Sequence, residues 1–226
     1  MVEKICRHIV MLGPPGAGKG TQASILSEKL GINTVSTGAV LREIAKSGTK
    51  DGDKINALLK KGHMVSDKFM MKIMQDVLSK PENVKGYILD GSPRSVPQAK
   101  GLDKMLGSRK MKKLGQELDA VLYLQVPDDY VIERIIGRFQ CAHCKALYHE
   151  RFKPTKVFGI CDECGGKEFT RREDDTFETV VSRLRAFREV TAPLIPYYEK
   201  KGLLRCIDGT GPIDVVSEKI RKIVGY

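Results

Sequence analysis

The chain of 226 residues is 41% hydrophobic, which is enough for one large domain or for one domain with insertions. Its 39 Lys and Arg residues exceed its 28 Asp and Glu residues, and the formal net charge of +11 favours polyanionic partners of any kind. No apolar run approaches the roughly 20 residues that span a bilayer, and no export signal precedes the first predicted strand, so we expect a cytoplasmic protein without a membrane partner.

Five segments rich in β-branched or apolar residues are predicted to be strands, and helical periodicities lie between them. This alternation predicts an α/β fold in which a five-stranded parallel sheet carries helices on both faces. The predicted strands cover His8–Leu12, Asn33–Ser36, 86–90, 120–126 and Leu204–Asp208, and the predicted helices cover 21–30, 68–78, 130–138 and 178–201.

Two segments fit this alternation poorly and are interpreted as insertions into a core domain. Residues 37–65 contain two short helical patterns with no strand between them. Residues 139–172 are rich in Cys, Gly, aromatic and charged residues and lack a helical period. The core domain then comprises residues 1–36, 66–138 and 173–226.

Residues 13–21, GPPGAGKGT, lie between a predicted strand and a predicted helix and are typical of a phosphate-binding loop. The glycines allow backbone N–H groups to surround phosphates, and Lys19 neutralises them. The general pattern continues with Ser or Thr, whose hydroxyl binds Mg²⁺, but this chain has Gly20. We therefore expect nucleotide oxygens and water to hold Mg²⁺. The alternative, an ordinary Gly/Pro-rich turn, is disfavoured by the combination of Gly16, Gly18 and Lys19.

Asp90 is the candidate for the acid that orients the water molecules around Mg²⁺. It ends a hydrophobic predicted strand, the place where a carboxylate of this kind lies beside a phosphate-binding loop. The alternative is a turn-forming Asp-Gly pair. Arg94 favours the first interpretation because it brings a guanidinium to the carboxyl end of a strand, where ligands of α/β proteins bind.

These motifs resemble those of the adenylate kinase family of nucleoside monophosphate kinases. The family's loop has the form Gly-x-Pro-Gly-x-Gly-Lys-Gly-Thr, so Gly20 belongs to its pattern. Further blocks of resemblance follow in order along the chain, at 36–38 with 41–42, 62–67, 90–94 with 98, 133–134 with 137–138, 172–175, 183 and 208–210.

The resemblance implies a P-loop three-layer fold with two mobile inserted subdomains, a monophosphate-binding region at 37–65 and a lid at 139–172. It also implies reversible phosphoryl transfer from MgATP to AMP, which gives two ADP and serves adenine nucleotide homeostasis. An acceptor phosphate that is already ionised near neutral pH needs positioning and charge neutralisation rather than a catalytic base. The implied partners are ATP, AMP and ADP, with no nucleic acid, and the implied state is a monomer.

The resemblance also assigns residues to the site. Those implied in catalysis are Lys19, Asp90, Arg94, Arg134, Arg138, Arg172 and Arg183. Those implied in ATP binding are Gly16, Ala17, Gly18, Lys19, Gly20, Thr21, Arg134, Arg138, Tyr148 and Gly211. Those implied in AMP binding are Thr37, Gly38, Arg42, His63, Met64, Val65, Gly91, Arg94, Gln98, Arg172 and Arg183, with the Gln98 amide reading the adenine edge.

Six cysteines in a chain without an export signal favour metal binding over disulfides. Two CxxC pairs with 16 residues between them have the spacing of a tetrahedral zinc ribbon: Cys141 with Cys144, and Cys161 with Cys164. Four thiolates fill the coordination shell of Zn²⁺, so the metal is expected to be structural and to support the lid. The alternatives are a redox-active pair and an iron site. Cys6 and Cys206 are expected to be buried in strands.

Three features depart from the resemblance. Ser92 stands where the family commonly has a bulkier residue, and Gly211 stands where relatives often have lysine, which leaves only backbone contact with the adenine. Residues 101–118 form an extension without an assigned function. The basic run at 108–113 within this extension is interpreted as a solvated surface.

Two other functions remain open. One is a nucleic-acid-binding zinc-ribbon protein with a regulatory nucleotide site, motivated by the positive charge and the cysteines. The aromatic content of 6%, the absence of Trp and the dispersed basic residues disfavour it. The other is a kinase that uses GTP as donor or UMP or CMP as acceptor, which a substrate panel separates and the fold cannot.

Overall fold

The main sheet of the protein is parallel and has five strands. The computed structural model describes residues 5–60, 66–171 and 175–226. The strands are β1 (His8–Leu12), β2 (Asn33–Ser36), β3 (Tyr87–Asp90), β4 (Ala120–Gln125), β5 (Arg138–Cys141), β6 (Leu147–His149), β7 (Phe169–Thr170) and β8 (Leu204–Asp208). The main sheet has the order β2-β3-β1-β4-β8, and the antiparallel strands β6-β5-β7 form a separate small sheet.

Helices connect the strands of the main sheet. The α-helices are α1 (Lys19–Leu30), α2 (Thr37–Ala45), α3 (Lys50–Lys60), α4 (Asp67–Leu78), α5 (Pro81–Val84), α6 (Val96–Leu106), α7 (Arg109–Lys113), α8 (Asp128–Ile136), α9 (Phe177–Ala186), α10 (Leu194–Glu199) and α11 (Ile213–Val224), and a π-helical turn covers Phe187–Thr191. In the part of the chain that the structure describes, no helix is long and apolar enough to cross a membrane.

Both faces of the main sheet are covered, which explains why its central strands are nearly continuous apolar runs. Ile9 and Met11 of β1 belong to a core cluster shared with α1, α8, α9 and α11. Val10 and Leu12 belong to a second cluster shared with α4, α6 and α10, because successive side chains of a strand point to opposite faces. The predicted α/β fold with a five-stranded parallel sheet is confirmed.

The expectation of a single helix over 178–201 is wrong. The chain forms α9, then the π-helical turn in which the N–H of Ala192 donates to the carbonyl of Phe187 at 2.8 Å, and then α10. Pro193 and Pro196 lack the N–H groups that a continuous α-helix uses, which explains the break. The helix expected over 130–138 is α8, which ends two residues before Arg138 begins β5.

A small buried cluster accompanies each of the two segments that interrupt the strand–helix alternation. Leu41 and Ile55, from α2 and α3, pack with Ile73 of α4. The small sheet has a buried cluster formed by Cys141, Tyr148 and Cys161. Residues 139–171 contain no helix, as their lack of a helical period predicts.

The extension at 101–118 completes α6 and forms α7 before the chain enters β4. The Ser108 hydroxyl accepts the N–H of Met111 at 3.5 Å, and the side chains of Met111 and Gln116 are fully buried. The four basic residues of α7 are exposed, as expected of a solvated surface.

The two cysteines outside the CxxC pairs were expected to be buried, and they are not. Cys6 is half-buried and precedes β1, and Cys206 is exposed in β8. β8 is an edge strand of the main sheet, and of its five residues only Ile207 is fully buried. A strand-like sequence therefore does not ensure burial at a sheet edge.

Candidate functional site

The loop between β1 and α1 curves tightly at the carboxyl end of the main sheet. Gly16 and Gly18 have φ angles of 78° and 92°, a region that side chains rarely adopt. A Cβ on Gly16 would lie only 2.7 Å from Cγ1 of Ile135, so α8 packs directly against the loop backbone. α1 begins at Lys19, so the free N–H groups at its first turn lie at the loop. This arrangement can bind phosphate groups.

The Lys19 ammonium lies inside the loop. It donates to the carbonyls of Gly13 and Pro14, both at 2.8 Å. Burial lowers the pKa of Lys19 to about 8, an effect that the charge of Asp90 opposes and the charges of Arg94 and Arg183 reinforce. The site therefore brings three cationic side chains and one carboxylate close enough to interact, and its excess positive charge suits a polyphosphate.

Asp90 ends β3 beside the start of α1. Its Oδ2 lies 3.8 Å from the position that a Cβ would take on Gly20. The missing side chain at Gly20 therefore leaves the carboxylate facing the loop. A carboxylate in this place can bind the water shell of Mg²⁺.

The turn after β3 holds Arg94 through contacts from four directions. The Arg94 Nε donates to the carbonyl of Gly91 at 2.8 Å, and its backbone N–H donates to Oε1 of Gln98 at 2.8 Å. The Thr37 hydroxyl donates to the same Gly91 carbonyl at 3.2 Å, and the Thr191 hydroxyl donates to the Arg94 carbonyl at 2.9 Å. Residues of α6 and the π-helical turn thus hold the Arg94 backbone, and Thr37 of α2 shares the Gly91 carbonyl to which the guanidinium donates.

A cavity of about 810 Å³ extends from the phosphate-binding loop to the small sheet. Most of the residues implied by the sequence resemblance line it. They are Gly16, Ala17, Gly18, Lys19, Gly20, Thr21, Asp90, Gly91, Arg94, Arg134, Arg138, Tyr148, Arg183 and Gly211.

The four cysteines of the CxxC pairs converge in the small sheet. Their sulfur atoms all lie within 4.8 Å of one another, with 3.6 Å between Cys141 and Cys164 and 3.5 Å between Cys144 and Cys161. A tetrahedron with metal–sulfur bonds of about 2.3 Å has edges of about 3.8 Å, so the sulfur positions fit one tetrahedral metal ion. Disulfide bonds would need about 2.05 Å. The cluster can therefore hold a metal.

Comparison with known proteins agrees with this geometry. A family model described as Adenylate kinase matches residues 11–203. An adenylate kinase of Paramagnetospirillum magneticum is 46% identical over 217 residues, which are 96% of this chain and 98% of that protein. Adenylate kinases of Methanothrix thermoacetophila and Archaeoglobus fulgidus are 44% and 45% identical over 96% of this chain and over 98% and 97% of their own lengths. The chain belongs to the adenylate kinase family.

Membership of the adenylate kinase family gives the class of reaction. The chain is a nucleoside monophosphate kinase, a phosphotransferase, with adenylate kinase activity and with ATP, AMP and ADP as its nucleotides. Adenylate kinases generally use Mg²⁺, which agrees with a carboxylate beside the phosphate-binding loop.

Some residues implied in AMP binding do not line the cavity, and others fall outside the residues that the structure describes. Thr37 and Gln98 are buried in the turn around Arg94. Gly38 and Arg42 lie within α2. His63, Met64, Val65 and Arg172 fall outside the residues that the structure describes, so their roles remain predictions.

The structure gives Tyr148 a different environment from the one expected. Its side chain is only 2% exposed, and its hydroxyl accepts the N–H of Asp162 at 2.7 Å and donates to Sγ of Cys161 at 3.2 Å. This hydrogen bond lowers the pKa of Cys161 to about 6, which favours the thiolate that a metal requires. The Tyr148 ring therefore supports the cysteine cluster, although the residue also borders the cavity.

Sequence reasoning assigned no role to two residues that position arginines of the site. Asp175 accepts from Nε and Nη2 of Arg138 at 2.9 and 2.6 Å, a bidentate ion pair. The Arg134 guanidinium lies 5.4 Å from the ring centroid of Phe152, and burial lowers the pKa of Arg134. The one available signal for Phe152 was an aromatic residue between Arg151 and Lys153.

Proposed function

We propose that the chain transfers a phosphoryl group from MgATP to AMP in the cavity between the phosphate-binding loop and the small sheet. The observation that carries this proposal is that Lys19, Asp90, Arg94 and Arg183 line the same cavity. The charges of Asp90, Arg94 and Arg183 all act on the Lys19 ammonium. Phosphoryl transfer needs its reactants aligned and their charge neutralised, which such a convergence supplies.

The loop and the arginines at its edge have distinct roles in this proposal. The N–H groups at residues 16–21 bind the ATP phosphates, and Lys19 leaves the carbonyls of Gly13 and Pro14 to contact them. Arg134 and Arg138 approach ATP from the side of the small sheet. The ion pair with Asp175 uses Nε and Nη2 of Arg138, so it fixes the guanidinium while leaving Nη1 for a phosphate oxygen.

The AMP site is proposed on the other side of the loop. Arg94 and Arg183, with Arg172, bind the AMP phosphate, because a planar guanidinium pairs with two phosphate oxygens at once. Gln98 acts first on the protein itself, since its amide oxygen holds the Arg94 backbone. The other residues proposed to hold AMP are Thr37, Gly38, Arg42, His63, Met64, Val65 and Gly91.

Mg²⁺ is proposed to lie between the ATP phosphates and Asp90. The carboxylate would bind the water molecules of the ion rather than the ion itself, because no hydroxyl follows Lys19. Bound Mg²⁺ supplies neutralisation of the charge on the transferred group. Asp90 then keeps the hydrated ion in place.

We propose that residues 37–65 and 139–172 move against the core domain formed by residues 1–36, 66–138 and 173–226. The segment at 139–172 has its own small buried cluster, which suits movement as a rigid unit, and the segment at 37–65 packs Leu41 and Ile55 against Ile73 of α4 in the core domain. Closure over the nucleotides would exclude the water that otherwise hydrolyses ATP.

The cysteine cluster is proposed to hold Zn²⁺. Its four sulfur atoms leave no coordination position for substrate or water, so the ion is structural. Six free thiols suit a reducing compartment, and we propose the cytoplasm. We also propose a monomer, the state that the family resemblance implies.

A substrate panel tests the proposed function. The metal-loaded protein is incubated with MgATP or MgGTP and with AMP, GMP, CMP or UMP, and products are separated by chromatography. We expect efficient transfer only with MgATP and AMP. Arg94→Met should lower turnover by about 10²-fold to 10³-fold, whereas the control Arg205→Met, on the exposed part of β8, should keep it. Transfer to CMP or UMP at the AMP rate, or full activity of Arg94→Met, would contradict the assignment.

A further inference from the structure

His149 lies where the small sheet contacts α8, the helix that contains Arg134. It is the last residue of β6, pairs with Arg138 across the small sheet, and is only 8% exposed. The backbone of Glu150 donates to the carbonyl of Gly137 at 3.1 Å at the same place. The imidazole is therefore enclosed where the chain passes from α8 to the small sheet.

The hydrogen bonds of His149 fix its tautomer. Nδ1 accepts the backbone N–H groups of Arg151 at 2.9 Å and Phe152 at 3.1 Å, so it carries no proton. Nε2 must then carry the proton, and it donates to the carbonyl of Glu133 in α8 at 3.1 Å. One nitrogen thus organises the turn after β6, and the other attaches that turn to α8.

The same ring supports one wall of the nucleotide cavity. The ring centroids of His149 and Phe152 are 4.6 Å apart. The Phe152 ring in turn lies 5.4 Å from the Arg134 guanidinium, and both residues line the cavity. Gly137 packs closely against the same ring, since a Cβ on Gly137 would lie 2.4 Å from Nε2.

We propose that His149 is a positioning residue. It holds the Phe152 ring beside the Arg134 guanidinium and so shapes the side of the cavity that receives ATP. The proposal rests on the function proposed above. The hydrogen bond from Nε2 to the Glu133 carbonyl attaches the turn at 150–153 to α8 and so fixes the position of that turn relative to the helix. His149 acts on the cavity through Phe152 and Arg134.

Two substitutions separate the functions of the two nitrogens. His149→Asn keeps an acceptor near the position of Nδ1 but loses the group that reaches Glu133. His149→Gln places an amide N–H near the position of Nε2 and loses the acceptor for the turn. Arg171→Gln is the matched control, because Arg171 makes an exposed hydrogen bond to the Ile136 carbonyl and so also links the end of α8 to the small sheet.

The measurement is the KM for MgATP and for AMP in each variant, together with the reactivity of the metal-site thiols. We expect His149→Asn to raise the KM for MgATP about tenfold, the equivalent of one lost hydrogen bond. His149→Gln should recover most of that loss. The KM for AMP should change less than about twofold, the thiols should stay protected, and Arg171→Gln should resemble the wild type.

Equal effects of Asn and Gln, or equal increases in the two KM values, would overturn the proposal. If His149→Asn exposes the thiols, Gly137→Ala replaces it, because its Cβ displaces the ring without removing a polar group. An unchanged KM for MgATP in Gly137→Ala would then overturn the proposal. Wild-type protein that makes no ADP from MgATP and AMP would instead refute the proposed function, and titration of MgATP binding to the same variants would still test His149.

Discussion

The core domain and the small sheet are stabilised by different means. The main sheet has a large apolar cluster on each face, whereas the buried cluster of the small sheet consists of Cys141, Tyr148 and Cys161. Two of these three residues belong to the group of four that can hold a metal, and the third donates to one of them. A segment too short for an apolar core can thus be stabilised by an ion bound to these cysteines.

The largest effect that this comparison predicts is the response to metal removal. A structural zinc ion contributes on the order of 10 kcal/mol to a small module, so its removal should unfold the small sheet and leave the main sheet folded. The experiment uses Cys206→Ser protein, which lacks the exposed thiol of β8. After chelation, the four metal-site thiols should react and amide exchange should accelerate only in residues 138–171. Thiols that remain protected would refute the metal site.

The second prediction separates activity from stability within the core domain. Lys19→Met removes a buried ammonium whose hydrogen bonds within the described residues go to the backbone carbonyls of Gly13 and Pro14. Turnover should fall at least about 10²-fold, whereas the melting temperature should stay the same or rise, because an unfavourable buried charge is lost. A lower melting temperature together with normal turnover would show that Lys19 is structural.

The third prediction concerns the apolar core alone. Leu122 is fully buried at the centre of β4, so Leu122→Ala should lower the free energy of unfolding by about 2–5 kcal/mol. The thiols of the metal site should remain protected at temperatures below the main transition, and urea denaturation provides the measurement. Simultaneous exposure of the thiols and loss of the main sheet would mean that the two regions unfold as one unit.

The smallest predicted effect is a proton taken up on nucleotide binding. The pKa of Lys19 is lowered to about 8 by burial, and bound phosphates favour the charged form and raise it again. At pH 9, MgATP binding should therefore take up close to one proton, and at pH 7 almost none. Calorimetry in two buffers of different ionisation enthalpy measures this number, and Lys19→Met is the control. The same uptake at both pH values would contradict the shifted pKa.

The shifted pKa also has a consequence for stability without nucleotide. Between about pH 8 and the ordinary lysine value of 10.5, the unfolded chain binds more protons at this position than the folded chain. The contribution of Lys19 to the free energy of unfolding therefore rises with pH across this window. Comparison of wild type with Lys19→Met by urea denaturation isolates the effect.

The sequence was sufficient to predict the three central strands of the main sheet, β3, β1 and β4, because each is a short apolar run between turn residues. β1, β2 and β8 begin and end at the predicted residues. The break after α9 was not predictable from periodicity, since the apolar pattern continues through the π-helical turn and only Pro193 and Pro196 mark the change.

The candidate site was predictable to the extent that its residues lie in local motifs. The loop at 13–21 and the turn from Asp90 to Arg94 are of this kind. The pairing of Arg138 with Asp175 joins residues 37 positions apart, and no local pattern reveals it. The hydrogen bond of Tyr148 to Cys161 was missed for another reason, because a sequence does not show which aromatic residue contacts a metal-site cysteine.

The stoichiometry of the reaction is the most direct test of phosphoryl transfer from MgATP to AMP. Metal-loaded protein is mixed with MgATP and AMP, and all three adenine nucleotides are followed by chromatography, with a parallel sample that lacks AMP. Two ADP molecules should form for each AMP consumed. ATP without AMP should stay intact, because the site transfers the phosphoryl group to the phosphate of AMP and excludes water. ADP formation at the same rate without AMP would contradict this transfer, since the protein would then be an ATP hydrolase.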